Sequence, residues 1–330
     1  MGLFKRSNDK GNGGSGSASA VRLYYASDIH GSAVLWRKFL NAASAYKAEV
    51  LVMGGDVTGK VVVPLVERDD GFHVDLFGQR SVVSGEALEE MEHKIRNNGM
   101  YPHRMSGEEL ERVAALSEEE REGWFADVMR TTFDGWLALA DDRLDPATRC
   151  FVMPGNDDPA GVDRAIEEAV KVEACDGRIV RFGDYTMISL GYANRTPFDS
   201  PRELTEEDLL ARVVAMAEEV GDMTRCIFNL HVPPYESSLD SAPALDENLA
   251  VVMSGSAPKM IGVGSTAVRE AIERFQPLLS LHGHVHESPG AEHIGRTLSI
   301  NPGSDYHTGR ISGCLIQLRG DSVRHQFVTG

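Results

Sequence analysis

Five short clusters of cation-binding side chains punctuate the sequence. They are Asp28-Ile29-His30, Gly55-Asp56, Gly155-Asn156-Asp157-Asp158, His231 and Gly283-His284-Val285-His286. Imidazole nitrogens and carboxylate oxygens together suit zinc, manganese, iron and similar divalent ions. In extended backbone Asp28 and His30 share one side of the chain, and so do His284 and His286. His282 precedes that second pair but alternates with it past Gly283, and it is left out of the set. Taken singly, each residue has an ordinary use: Asp56 as a helix cap, His231 as a hydrogen-bonded core histidine, Asn156 as a turn residue. Taken together and in order, they read as a metal-binding set.

Each cluster follows a strand-like run. The apolar run 21–26 leads into Asp28, a helical pattern covers about 32–47, and the strand 50–53 ends at Asp56. Polar residues at the carboxyl ends of neighbouring strands mark the edge where α/β sheets bind ligands. The pattern breaks over 60–148. There the runs 61–66 and 72–77 flank Asp69-Asp70-Gly71, a hairpin signal, and acidic helical stretches follow near 86–97, 106–116 and 117–143. This block reads as an inserted cap. The alternation resumes with a strand at 150–153 entering Asn156, a helix at about 160–171 and strands near 178–182 and 185–190. A helix over 205–220 and the strand 226–230 lead to His231. A loop of about 30 residues follows, long enough to be functional. A helix capped at Gly264-Ser265-Thr266 runs to about 275, the strand 278–281 enters the last histidine pair, and strands at 297–300, 313–318 and 323–328 end the chain.

Composition narrows the partners. The 330 residues carry 50 Asp plus Glu against 33 Lys plus Arg, a net charge of −17, and a surface of that sign disfavours nucleic acid. No run approaches the roughly 18 consecutive apolar residues of a membrane span, so no membrane partner is expected. Cys150, Cys175, Cys226 and Cys314 are widely spaced, without a Cys-x-x-Cys pair, which fits reduced thiols and a cytoplasmic location. Residues 1–20, rich in Gly, Ser and Asn, read as a disordered tail.

In order and residue type the five clusters resemble the calcineurin-like metallophosphoesterase superfamily, whose pattern is Asp-x-His, Gly-Asp, Gly-Asn-His-Asp/Glu, His and Gly-His-x-His. The resemblance spans about 21–310 outside the inserted block. It implies a four-layer α-β-β-α sandwich of two mixed sheets, with 21–330 as one domain and 60–148 as its cap. It implies two divalent ions (Mn, Zn or Fe), with Asp28, His30 and His286 on the first, Asn156, His231 and His284 on the second, and Asp56 bridging. The reaction so implied is attack of a metal-bridging hydroxide on the phosphorus of a small phosphate ester, a phosphodiester being favoured. Asp56, Asn156, Asp157 and His231 are its catalytic candidates, and Asp158 is a supporting residue around the ligands.

The sequence departs from the family pattern at Asp157, where the family commonly has the histidine that protonates the leaving group. A carboxyl beside two cations ionises readily and makes a poor acid. His73, His93 and His103 are alternative acids within the insertion. Arg195 is a candidate phosphate contact, and the helix start at Gly264-Ser265-Thr266 could receive an anion. Asn301-Pro302-Gly303-Ser304 reads as a turn bordering the site, with His307 an outer candidate. Asp157 also motivates an alternative from another class, a non-catalytic protein-interaction module that keeps the fold.

Overall fold

The computed structural model describes residues 20–330, so the tail expected over 1–20 lies outside the described residues apart from Ala20. Two six-stranded mixed sheets face each other. In the first, the order is Ser322–Thr329, Ser312–Arg319, Val21–Ala26, Val50–Gly54, Arg149–Met153 and Val172–Ala174, with the last four parallel. In the second it is Gly290–Ile294, Thr297–Asn301, Leu279–Leu281, Cys226–Leu230, Tyr185–Leu190 and Arg178–Phe182, with the middle four parallel.

The strand sequences explain the layering. Parallel strands buried on both faces read as nearly continuous apolar runs, and successive side chains then serve different cores. Leu23 and Tyr25 point between the sheets with Val50, Val52, Phe151 and Met153. Their neighbours Tyr24, Ala26, Leu51, Met53, Cys150 and Val152 point outward. There they meet the helices Ala33–Tyr46, Glu118–Arg143 and Val162–Glu168, whose Trp36, Phe39, Phe133, Trp136 and Ile166 complete the outer core. On the far side Ile188, Phe228 and Leu230 meet Leu209 and Val213 of the helix Glu206–Glu218 and Val268 and Ile272 of Thr266–Phe275. The result is helix, sheet, sheet, helix, the architecture that the resemblance implies.

The stretch 60–148 has two kinds of partner. Strands Gln79–Val83, Gly71–Leu76, Val61–Arg68 and Met100–Ser106 form a separate four-stranded sheet, closed by the helix Glu86–Asn97 around a small core of its own that includes Leu65, Val74 and Ile95. Helix Glu118–Arg143 instead packs its second half into the outer core of the first sheet. Several elements differ from the sequence reading, among them Val172–Ala174 and Gly290–Ile294, each an added strand in a main sheet. Met100–Ser106 is a strand paired in parallel with Val61–Arg68. Gln79–Val83 adds a strand beside the expected hairpin. The stretch after His231 is not irregular throughout: Ser241–Pro243 pairs with Met260–Gly262 and forms an arm over the strand ends.

Candidate metal centre

Five parallel strands from two sheets, three from the first and two from the second, end at one place. Val21–Ala26 delivers Asp28 and His30, and Val50–Gly54 delivers Asp56. Arg149–Met153 delivers Asn156 to Asp158, and Cys226–Leu230 delivers His231. The strand Leu279–Leu281 brings His284 and His286 from the second sheet. The turns are tight. Asp28, His30, Asp56 and His284 all have positive φ, from 41° to 65°, a conformation that costs non-glycine residues energy and concentrates at functional sites.

The side chains gather in two groups. Ligand atoms of Asp28, His30 and His286 lie within 4.8 Å of one another, and so do those of Asp56, His231 and His284. Asp56 joins them: its Oδ2 is 3.6 Å from His30 Nε2 and 3.4 Å from His231 Nε2. Asn156 Oδ1 stands between the rings of the second group, 3.0 Å from His231 Nε2 and 2.8 Å from His284 Nδ1.

The donor chemistry fits a cation. His231 Nδ1 is 2.8 Å from the Gly54 carbonyl, so that nitrogen donates and Nε2 presents its lone pair to Asn156. Two acceptors then face each other, and only a proton or a metal ion reconciles them. His30 Nε2 and His286 Nε2 stand 3.0 Å apart. The protein around the groups is arranged to hold them. The His284 N–H donates to Asp28 at 3.0 Å, Asp157 N–H donates to Asp56 Oδ1 at 3.0 Å, and Ser304 Oγ donates to the Asp28 carbonyl at 2.6 Å. Asp158, fully buried, accepts from Val57 N, Gly155 N, Thr58 N and Thr58 Oγ1, tying the Asp56 turn to the Asn156 turn.

Burial and charge set the protonation. Burial opposes ionisation of Asp56, but His231 and His30 outweigh it and hold its carboxyl far below the usual range. Burial opposes charge on His231 too, yet Asp56 and then Asp28 push it up to about 10. Desolvation lowers His284 to about 4 and keeps it neutral. Burial and then Asp56 push Asp158 up to about 6, against the pull of its donors.

Asp157 has a partner that the sequence does not announce. Its carboxylate is 2.5 Å from Lys60 Nζ and accepts from Ser200 Oγ at 2.6 Å. His73, His93 and His103 do not reach the site: none lines its cavity, His73 pairs with Asp70, and His103 lies edge-on to Trp124. Arg195 and His307 do line the cavity. The helix start at Ser265 is taken by Glu206, which accepts from Ser265 Oγ, Thr266 N and Ala267 N, so no free anion site remains there. His282 is fully buried and hydrogen-bonded to the Leu230 carbonyl, apart from the ligand groups. Tyr306, whose ring centre is 4.8 Å from that of His30, follows no motif and is found only in the structure. Where the four-stranded sheet meets the centre, backbone touches backbone. A Cβ on Gly59 would stand 2.0 Å from the Gly99 carbonyl oxygen, one on Gly99 2.1 Å from that of His30, and one on Gly31 2.6 Å from that of Gly99.

No family model matches the chain. The uncharacterised protein MJ1162 of Methanocaldococcus jannaschii is 29% identical over 153 residues, 46% of this chain and 62% of that protein. The match thus spans about three fifths of the relative's length. One crystal structure aligns over 94% of this chain and 99% of its own, with a TM-score of 0.57 and 16% identity. A structure described as a novel archaeal phosphodiesterase aligns over 93% of this chain and 100% of its own, with a TM-score of 0.33 and 12% identity. Two facing mixed sheets, helices outside both and ligand-type residues at converging strand ends give this chain the four-layer fold that the resemblance to calcineurin-like metallophosphoesterases implies.

Proposed function

We propose that the chain is a metal-dependent phosphoesterase that hydrolyses a small phosphate ester, a phosphodiester in preference to a monoester. The observation that carries this is the position of Asp56, one carboxylate facing a histidine of each ligand group. In this reading Asp28, His30 and His286 hold one divalent ion, Asn156, His231 and His284 hold a second, and Asp56 serves both. Bound there, the pair supplies Lewis acidity toward the phosphoryl oxygens and lowers the pKa of water.

The protein's own residues do the rest. The Gly54 carbonyl fixes the His231 tautomer. Asp158 locks the Asp56 and Asn156 turns together. Lys60, paired with Asp157 at the cavity wall, brings a positive group to the side where an alcohol would leave. Hydrolysis adds the oxygen of water to phosphorus and breaks the opposite P–O bond. The departing alkoxide keeps the bonding electrons and needs a proton. Arg195, exposed on the cavity wall, is the proposed contact to a phosphate oxygen. We place residues 60–148 as an inserted cap, of which Lys60, Val61, Phe77 and Asn98 to Met100 border the cavity. A net charge of −17 disfavours a polynucleotide substrate. The four cysteines are buried and unpaired, which supports a reducing, cytoplasmic setting. No helix among the described residues is long and apolar enough to cross a membrane.

The test is hydrolysis of nitrophenyl phosphomonoesters and diesters after chelation and after return of manganese or zinc, with elemental analysis of the purified protein. We expect loss on chelation, recovery on add-back, and at least hundredfold lower turnover in Asp56→Ala, about the effect of removing one charge-stabilising group. Turnover indifferent to chelator and to Asp56→Ala would refute the reading. A protein that purifies without metal and turns over no ester would favour the interaction-module alternative, for which Asp157 in place of the family's histidine is the motivating observation.

A further inference from the structure

The walls above the centre are unlike its floor. A cavity of about 960 Å³ has His30, Asp56, Asn156 and the last histidine pair at its base. Eleven large apolar side chains are exposed among the described residues. Five of them, Val61, Phe77, Phe198, Val251 and Ile261, line this one cavity. They come from three separate stretches: one end of the four-stranded sheet, the loop after Asn194, and the arm around Ser241–Pro243 and Met260–Gly262. Phe77 and Phe198 are 70% and 60% exposed. Leu245, Pro243 and Val263 continue the lining inward. A strongly acidic chain has ample polar residues with which to clothe its surface, and contiguous exposed apolar patches mark binding surfaces. Here the patch and the polar base are parts of a single cleft, so one occupant spans both.

We propose that the substrate is an amphiphilic phosphoester, its phosphate at the ligand groups and an aliphatic chain along the Val61–Val251–Ile261 wall. This rests on the phosphoesterase reading and narrows it. The volume lies at the upper end of the roughly 300–1,000 Å³ usual for small-molecule sites, more than a phosphate with a short substituent would fill. A nucleoside would want hydrogen-bond partners for its base edges, and the side chains of Val61, Val251 and Ile261 offer none.

The test uses nitrophenyl alkyl phosphodiesters from methyl to decyl, each below its micellar concentration, with the metal-loaded protein. Water forms the new P–O bond, the aryl P–O bond breaks with its electrons on nitrophenolate, the alkyl phosphate stays behind, and the protons pass to solvent. Each buried methylene should raise kcat/KM about fourfold until the wall is covered. Binding of alkylphosphonates of the same lengths, followed by calorimetry, should tighten in parallel without any turnover. Ile261→Ser and Phe198→Ser should flatten both series, whereas Val170→Ser, an exposed apolar residue away from the cleft, should not. Constant kcat/KM along the series with metal-dependent turnover intact would overturn this proposal alone. Absence of turnover with every ester would instead remove the phosphoesterase reading, and the calorimetric series would still report on the wall. Preference for a nucleoside ester over the decyl ester would overturn the aliphatic assignment. So would a dimer by light scattering that Ile261→Ser converts to monomer.

Discussion

Asp158→Asn is the substitution with the most to say about how the centre is built. The native carboxylate accepts four hydrogen bonds, two at each oxygen. Val57 N and Gly155 N are 2.9 and 2.8 Å from Oδ2, and Thr58 N and Oγ1 are 2.7 and 2.5 Å from Oδ1. An asparagine keeps the shape but offers only one acceptor. Its better orientation leaves the oxygen with Val57 and Gly155 and turns the amide NH2 toward Thr58. The Thr58 hydroxyl can rotate to accept, but the Thr58 N–H cannot, and a buried donor without a partner costs about 1–3 kcal/mol. The two bonds that survive lose their charge assistance, which roughly doubles a bond's strength. The sum is about 2–5 kcal/mol, against a typical total of about 5–15 kcal/mol for a whole fold. Urea unfolding measures it, at pH 7.5, above the value of about 6 to which burial and Asp56 raise this carboxyl. Because the network joins the turns that carry Asp56 and Asn156, zinc or manganese affinity should fall about 10–100-fold with it, as for other groups that orient ligands. A stability loss under about 1 kcal/mol together with native metal affinity would show that the two turns are held by something else.

Other expectations follow from single contacts. In the metal-free protein the raised His231 contributes stability that is complete below about 6.5 and lost as pH climbs toward about 10. Loading a metal near pH 8 should accordingly expel about one proton, measurable by calorimetry in buffers of different ionisation enthalpy; no proton release would contradict the assigned charge. Gly283→Ala would place a Cβ 2.2 Å from Ser27 Oγ and 2.3 Å from Asp28 Oδ2, so it should weaken metal binding at least tenfold. Gly221→Ala, with nothing within 4 Å of the added atom, is the control, and equal effects would discount the steric argument. Lys60→Met removes a half-exposed pair with Asp157, so stability should change by less than about 1 kcal/mol. Turnover of esters with poor leaving groups should fall at least tenfold more than turnover of nitrophenyl esters. Equal losses on both would mean that Lys60 does not serve the leaving group.

The proposed ligand set is legible in the sequence because each member lies within a few residues of the end of a strand whose apolar run is unmistakable. The strand fixes direction, and the turn needs only two or three residues to present Asp28, Asp56 or His231. The layering is readable for the same reason, since Leu23-Tyr24-Tyr25-Ala26 can be apolar throughout only if both faces are covered. The third sheet is less legible. Met100-Tyr101-Pro102-His103-Arg104-Met105 shows no clean alternation and includes a proline, and its identity as a strand comes from parallel pairing with Val61–Arg68, far away in sequence. The short pairings between 241 and 262 span two or three residues each, too few to show a period. Lys60, Tyr306 and the Glu206 cap on the Ser265 helix belong to no local pattern. They become partners only when distant segments are folded together, and one sequence without that folding cannot name them.

The glycine contacts at Gly31, Gly59 and Gly99 bear on how freely the four-stranded sheet can move or be exchanged. A joint padded by side chains can absorb a shift by changing rotamers, but main chain packed on main chain has no such slack. A lateral slip of Gly99 by even an ångström would press on the His30 carbonyl and hence on an imidazole of the ligand cluster. The sheet is therefore geared to the centre rather than hinged above it. Grafting it between relatives would succeed only if all three small residues travelled with it.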